Sequence, residues 1–252
     1  PDLRKRADSI FADLKAIMLD TTVVIADLEA YRGSEPDSGT IYELGMAYAK
    51  GARCYGYTRD KRPLVWKDQK YTLKEGKVFS PCIIASTKIA EGDYGDCLKM
   101  LMTDIEEEKK YKGLRGYSVD YTAAKTYKSD RPVVYLAGPE RYDKDAKEIY
   151  KKRKELCASY GLQAFTPADW AEGVEKMDTD CPYTAAANQF DSWQQHVRNC
   201  DAIIADLNDY RGYECSNDVA FECGMAFQLG KKMYGRQRRR FLIWGRNMNT
   251  GI

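Results

Sequence analysis

"IADLEAYRGSEPDSGTIYELGMAYAKG" runs from Ile25 to Gly51, and "IADLNDYRGYECSNDVAFECGMAFQLG" runs from Ile204 to Gly230. The two stretches align without a gap at an offset of 179. Ile25, Ala26, Asp27, Leu28, Tyr31, Arg32, Gly33, Glu35, Glu43, Gly45, Met46, Ala47 and Gly51 all recur. The period is too long for a solenoid, so the chain reads as two copies of one domain.

The second stretch sits in the fuller copy. "RPVVYLAGPERYD" is an apolar strand entering a Gly-Pro turn, and "DAKEIYKKRKELCASYG" is an amphipathic helix stopped at Gly161. "LQAFTPADW" is a short strand and loop, "NQFDSWQQHVRNC" a helix and "DAIIADL" a buried strand. "NDVAFECGMAFQLGKK" is the next helix and "RRRFLIWG" the next strand. This alternation predicts an α/β fold, a parallel sheet flanked by helices, Rossmann-like or flavodoxin-like. The near-continuous apolar strands agree. In the first copy "LRKRADSIFADLKAIML", "TTVVIADL", "DSGTIYELGMAYAKG" and "ARCYGYT" read as helix, strand, helix and strand.

The copies are in tandem, and the first is incomplete at its N-terminus, with no counterpart of "VVYLAGP" and its helix. The second stops after "FLIWGRNMNTGI", where the first continues through "SPCIIAST" and the helical "DYGDCLKMLMTDIEEEKKYK". A fragment of a longer tandem protein would show this asymmetry; so would a permuted or degenerate first copy. The expected division is 1–112 for the first copy, 113–130 for a polar linker and 131–252 for the second copy.

At 252 residues the chain has room for two domains. A net charge of +2 sets up no large field of one sign, which argues against nucleic acid as a partner. The main basic run is Lys231, Lys232, Arg236, Arg238, Arg239 and Arg240; it reads as a solvated loop between a helix and a strand. Eight cysteines form no CxxC pair, so no metal site is expected. Several lie in apolar runs, where a free thiol acts as a small hydrophobe, and this points to a reducing, cytoplasmic compartment. No segment approaches the roughly 18 apolar residues of a membrane span, and the opening "PDLRKRADS" is not a signal peptide.

In parallel α/β sheets ligands gather at the carboxyl ends of strands. Gly138 and Pro139 end one strand and let backbone approach a ligand; Asp27 and Asp206 end two others. An acidic residue there also caps the following turn, with Arg32 and Arg211 placed to pair with it. "YRGSEPDSGT" leads into a helix whose first turn offers N–H groups and a positive dipole end to a polar ligand facing Asp37, Ser38, Gly39 and Thr40. Glu43 and its twin Glu222 sit among weakly polar neighbours, where desolvation raises a carboxyl pKa; the alternative is a carboxylate on the wet side of an amphipathic helix. His196, the only histidine, reads as structural.

Taken together, "VVYLAGP", "CDAIIADL", "YRGSEPDSGT" and "YELGMAYAKG" resemble the nucleoside 2-deoxyribosyltransferase family and the related 2′-deoxynucleoside 5′-phosphate N-hydrolases, over residues 8–60 and 131–245. The resemblance implies retaining glycosyl transfer at C1′ through a covalent deoxyribosyl-glutamate. It makes Glu43 and Glu222 the nucleophiles, Asp37 a sugar-binding group, Tyr135 the group that orients the nucleophile, and Asp201 the group that helps protonate the base. The second copy departs from this pattern, with Ser216 at the Asp37 position and Asp218 nearby, on the helix face of Glu222. The first copy has Thr22 at the Asp201 position, with Asp20 two residues earlier. Pro81-Cys82-Ile83-Ile84 stands where the family carries an Asn-Leu-Met-Leu segment that reaches a neighbouring subunit's sugar.

The expectation is therefore transfer or hydrolysis at the N-glycosidic bond of 2′-deoxynucleosides or their monophosphates, without cofactor. The partners would be a small-molecule deoxynucleoside and a nucleobase, with no membrane or nucleic acid. A homo-oligomer or an internal pseudo-dimer would bring sites to the subunit contacts. The alternative is a catalytically degenerate module that binds a nucleoside or nucleotide. A Rossmann dehydrogenase is disfavoured because no GxGxxG follows a strand.

Overall fold

The computed structural model describes residues 3–62, 78–110, 127, 129–171, 182–210, 214–237 and 240–242. The first copy runs α1 (Leu3–Leu19), β1 (Val23–Asp27), α2 (Ser38–Lys50), β2 (Arg53–Thr58), α3 (Pro81–Ser86), β3 (Lys88–Glu91) and α4 (Tyr94–Lys110). The second runs β4 (Val133–Ala137), a 3-10 turn (Pro139–Tyr142), α5 (Ala146–Ser159), β5 (Gln163–Phe165), α6 (Pro182–Asn199), β6 (Ala202–Asp206), α7 (Asn217–Gln228), β7 (Lys232–Gln237) and β8 (Arg240–Leu242).

Two parallel-sheet α/β units result. The first sheet has the order β1-β2-β3 and the second β5-β4-β6-β7-β8. The repeat is preserved in three dimensions. Val23 pairs with Arg53 in β1–β2, and their counterparts 179 residues on, Ala202 and Lys232, pair in β6–β7. Parallel neighbours need a crossover, and α2 and α7 supply it. Asp37 caps α2, accepting from Thr40 N at 2.8 Å. Gly51 ends the helix in the left-handed region at φ 84, its N–H returning to Ala47 and Tyr48 carbonyls.

Two sequence expectations change. The basic run is not a loop: Lys232 and Arg236 belong to β7, which pairs with β6 as Arg53–Thr58 pairs with β1. Sheet pairing overrides the weak strand propensity of those residues. Arg238 and Arg239 lie outside the described residues. The following strand, β8, is antiparallel to β7, so the second sheet is mixed at that edge. "SPCIIAST" and the residues after it give a short helix, α3, and then a third parallel strand, β3. Of the expected linker only residues 127, 129 and 130 are described. Tyr127 is held against the second copy, its hydroxyl 2.6 Å from His196 Nδ1.

One apolar core spans both copies, with Leu44, Ile83 and Ile41 of the first packed in it beside Tyr135, Phe190 and Phe221 of the second. Its centre is the crossing of α2 and α7. A Cβ on Gly45 would stand 2.2 Å from Phe221 O, and one on Gly224 would stand 1.9 Å from Tyr42 O. Gly45 and Gly224 are repeat partners, as are Tyr42 and Phe221, so the contact is isologous. The flanking rings obey the same symmetry: Tyr42 meets Phe227 at 6.0 Å and Tyr48 meets Phe221 at 5.7 Å. Glu35 and Glu214 complete it. Glu214 Oε2 accepts from Ser38 N at 2.7 Å, and Glu35 Oε2 accepts from Asn217 N at 3.2 Å. Each copy thus places a carboxylate on the positive end of the other's helix.

All seven described cysteines carry free thiols; Cys181 lies outside the described residues. Among the described residues no helix is long and apolar enough to cross a membrane.

Candidate active site

Both glutamates ride on the helix that follows a parallel strand, β1 for Glu43 and β6 for Glu222, but they meet different surroundings. In the second copy β4 delivers Tyr135, the 3-10 turn delivers Arg141 and Tyr142, and α7 delivers Asp218 and Glu222. Tyr135 Oη donates to Glu222 Oε1 at 2.8 Å. Arg141 donates from Nη1 to Oε1 at 3.0 Å and from Nη2 to Oε2 at 2.8 Å, a two-pronged ion pair. The side chains of Arg141 and Glu222 are 3% and 1% exposed. Arg141 Nε donates to Gly138 O at 3.1 Å, and its guanidinium lies 4.1 Å over the Trp193 ring. Burial pushes the Glu222 carboxyl upward, and Arg141 pulls against that shift.

Asp218 is the next carboxylate on that face. It accepts from the Tyr142 hydroxyl, and from Cys82 N of the first copy at 3.1 Å. Pro81 and Cys82 open α3, so this segment of the first copy touches the second through backbone. Ser216 precedes α7 as its N-cap residue, and its buried Oγ has no hydrogen-bond partner.

In the first copy Glu43 is half-buried. Burial, then Asp13 of α1, then Asp37 raise its carboxyl above the ordinary value. Nothing local in the sequence marks Asp13, thirty residues before Glu43, as acting on it. Burial raises both carboxyls; the further charges acting on Glu43 are acidic, whereas Glu222 is paired with a cation.

A pH experiment follows from the raised Glu43 carboxyl. Its folded form favours the proton, so the ionised group costs stability above the ordinary glutamate pKa, and the cost vanishes once both folded and unfolded chains are protonated. Glu43→Gln is expected to raise Tm by roughly 1–3 °C at pH 7 to 8, with the gain lost below about pH 4. Thermal melts across that range check it.

Other expected site residues take structural posts. Asp27 Oδ1 accepts from Glu29 N at 2.9 Å and Asp206 Oδ1 from Asn208 N at 3.1 Å, so both cap the turn after their strand. Asp206 pairs with Arg153 at 3.7 Å, and Arg32 instead lies over the Tyr31 ring at 4.8 Å. Arg211 is outside the described residues. Asp201 is not brought to the cluster. It precedes β6, at the amino end of the sheet, and its carboxylate accepts from Val133 N at 2.7 Å. The first turn of α2 is also less open than its sequence suggests, because Asp37 takes Thr40 N and Glu214 takes Ser38 N. Gly39 lies within that turn, where a Cβ would stand 3.0 Å from Asp37 Oδ2. Gly138 and Pro139 serve the 3-10 turn that carries Arg141. His196 is buried; its Nε2 lies 3.2 Å from Asp169 O, a carbonyl that can only accept, so Nδ1 accepts from Tyr127. Burial holds its pKa below the usual histidine value.

Two parallel-sheet α/β units, each with a glutamate on the helix after β1 or β6, define a two-copy α/β protein. The chain belongs to the nucleoside 2-deoxyribosyltransferase family, which matches residues 2–114 and 134–242. It is similar to an uncharacterized protein of Schizosaccharomyces pombe, 30% identical over 105 residues, covering 41% of this chain and 49% of the relative. It is also similar to a solved 2-desoxiribosyltransferase from Leishmania mexicana, 27% identical, with a TM-score of 0.32, covering 41% of this chain and 63% of the other. The chain thus spans about half the length of the yeast relative and under two thirds of the Leishmania one.

Proposed function

We propose that the chain cleaves the N-glycosidic bond of 2′-deoxynucleosides or their monophosphates, with Glu43 as the nucleophile. The observation that carries this is the placing of Glu43: half-buried on α2, at the repeat position of Glu222 in a chain of this family, with burial first and the charges of Asp13 and Asp37 next raising its carboxyl. A carboxylate Oε bonds to C1′ while the C1′–N bond breaks, its electron pair leaving with the base, which takes up a proton. An acceptor base nitrogen, or water, then attacks C1′ and returns the electron pair to Glu43. The acidic neighbours favour the oxocarbenium-like transition state over the neutral ground state. Asp37 supports the sugar from the head of α2, and family membership puts small nucleosides first among substrates. The contact of the two copies through α2 and α7 supports an internal pseudo-dimer.

Incubation with a 2-fluoro-substituted deoxynucleoside, followed by peptide mass mapping, tests the proposal. The label is expected on Glu43, and base release is expected to fall at least about a hundredfold in Glu43→Ala. A label elsewhere with turnover intact would refute the assignment.

A second reading, a module that binds a nucleoside without cleaving it, is favoured by the closed ion pair at Glu222 and by Ser216 in place of an aspartate. Tight binding with no base release would support it.

A further inference from the structure

The pairing of β4 with β5 sets Tyr135 directly beside Phe165. Partners across a ladder point their side chains to the same face of the sheet, and α6 lays His196 against both. The imidazole is 5.8 Å from the Tyr135 ring at 21° and 5.0 Å from the Phe165 ring at 20°, nearly parallel to each. Tyr127, from the stretch between the copies, closes the group, 4.6 Å from the Phe165 ring and with its hydroxyl on His196 Nδ1.

We infer that His196 is a positioning residue of the second copy: its uncharged imidazole holds Tyr127 and lies flat on Tyr135, so that one ring proton, on Nε2, sets the aromatic layer from which Tyr135 reaches Glu222. The inference goes beyond the assignment of Glu43 as nucleophile and does not depend on it. Both groups that hold Glu222 are backed from α6. Trp193 lies under Arg141, and His196, three residues on and on the same helix face, lies against Tyr135. The loop after β5 aims each ring with a carbonyl. Trp193 Nε1 donates to Pro167 O at 3.0 Å, and His196 Nε2 to Asp169 O at 3.2 Å.

With Nε2–H given to a carbonyl, Nδ1 is left to accept, and the Tyr127 hydroxyl supplies the proton. A second ring proton would make Nδ1 a donor, so the Tyr127 bond could not persist as it stands. It would also set a charge inside the aromatic layer, which burial opposes. Of the charged groups facing the ring, Asp169 favours that proton and Lys154 of α5 disfavours it, and these two are ion-paired with each other. Tyr135, the titratable group of β4 against the ring, is kept protonated chiefly by burial. Because the folded state disfavours the second proton, the contribution of His196 is whole above the ordinary histidine pKa and is lost as pH falls below it.

The chain has a single histidine, so nitrogen-15 labelling of histidine reports this ring alone by NMR. At about pH 7.5 the proton is expected on Nε2 with Nδ1 bare, and titration is expected only below the ordinary value of about 6.5. Carbon-13 labels at tyrosine Cζ, assigned through Tyr127→Phe and Tyr135→Phe, are expected to move for both residues with the His196 midpoint. His196→Gln keeps one donor and one acceptor but cannot titrate, so the acid-side movement of both tyrosine signals is expected to shrink at least about fivefold. Tyr127→Phe removes a hydrogen bond to the neutral ring and is expected to raise the proton affinity of His196 about threefold or more. Circular dichroism checks folding at each pH. If His196→Gln is not folded, or the wild type unfolds before it titrates, the tautomer and the Tyr127→Phe titration decide. A proton on Nδ1 at about pH 7.5, a midpoint at or above about 6.5, or a Tyr135 signal that ignores the midpoint overturns the inference.

Discussion

Replacing Gly224 with alanine is expected to destabilise the protein by about 3 kcal/mol or more, the upper end for overpacking a core. The added methyl would stand 1.9 Å from Tyr42 O, and 3.1 Å from Met46 N. These are backbone atoms of α2, so no side-chain rotation relieves the clash and the two helices must separate. Separation would loosen Tyr42 from Phe227, Tyr48 from Phe221 and the reciprocal caps of Glu35 and Glu214 together. Gly45→Ala should behave alike, since its methyl meets Phe221 O. The double variant should fall short of the sum, because either substitution alone already parts the helices. Urea unfolding measures all three. A loss under about 1 kcal/mol in either single variant would show that the crossing is looser than described.

Arg141→Met carries the second large effect. It leaves Glu222 buried with Tyr135 as its remaining polar partner from the site, and uncompensated buried charges of this kind cost about 3–5 kcal/mol. Removing both members, in Arg141→Met with Glu222→Met, should bring stability back to within about 1 kcal/mol of the wild type or above it, because neither ion then needs desolvating. Denaturant midpoints of the two singles and the double give the coupling. If the double variant is as unstable as Arg141→Met, the ion pair is not what the burial of Glu222 depends on.

The two glutamates also show one motif in two settings. "YELGMA" and "FECGMA" share Glu, Gly, Met and Ala at the same spacing. The glycine is held by the helix crossing, an architectural demand common to both copies. The glutamate's setting comes from the rest of the chain: the charges of Asp13 and Asp37 act on Glu43, while Arg141 and Tyr135 bond to Glu222.

The sequence by itself determined the two-copy organisation, the alternation of strands and helices, and the helix face that Asp218 and Glu222 share. These are local facts: hydrophobic period, caps, glycine stops and an ungapped repeat. It also marked Glu35 and Glu214 as recurring, although nothing local says that each serves the other copy's helix. Only the tertiary structure decided that Lys232–Gln237, within the basic run, is a strand, because pairing with β6 and β8 rather than propensity fixes it. It alone moved Asp201 to the far end of β6, since a residue before a strand and one after it look equally acidic in sequence but lie a strand's length apart. And it alone set Arg141 on Glu222, 81 residues away, a contact that depends on how a turn and a helix from distant parts of the chain meet.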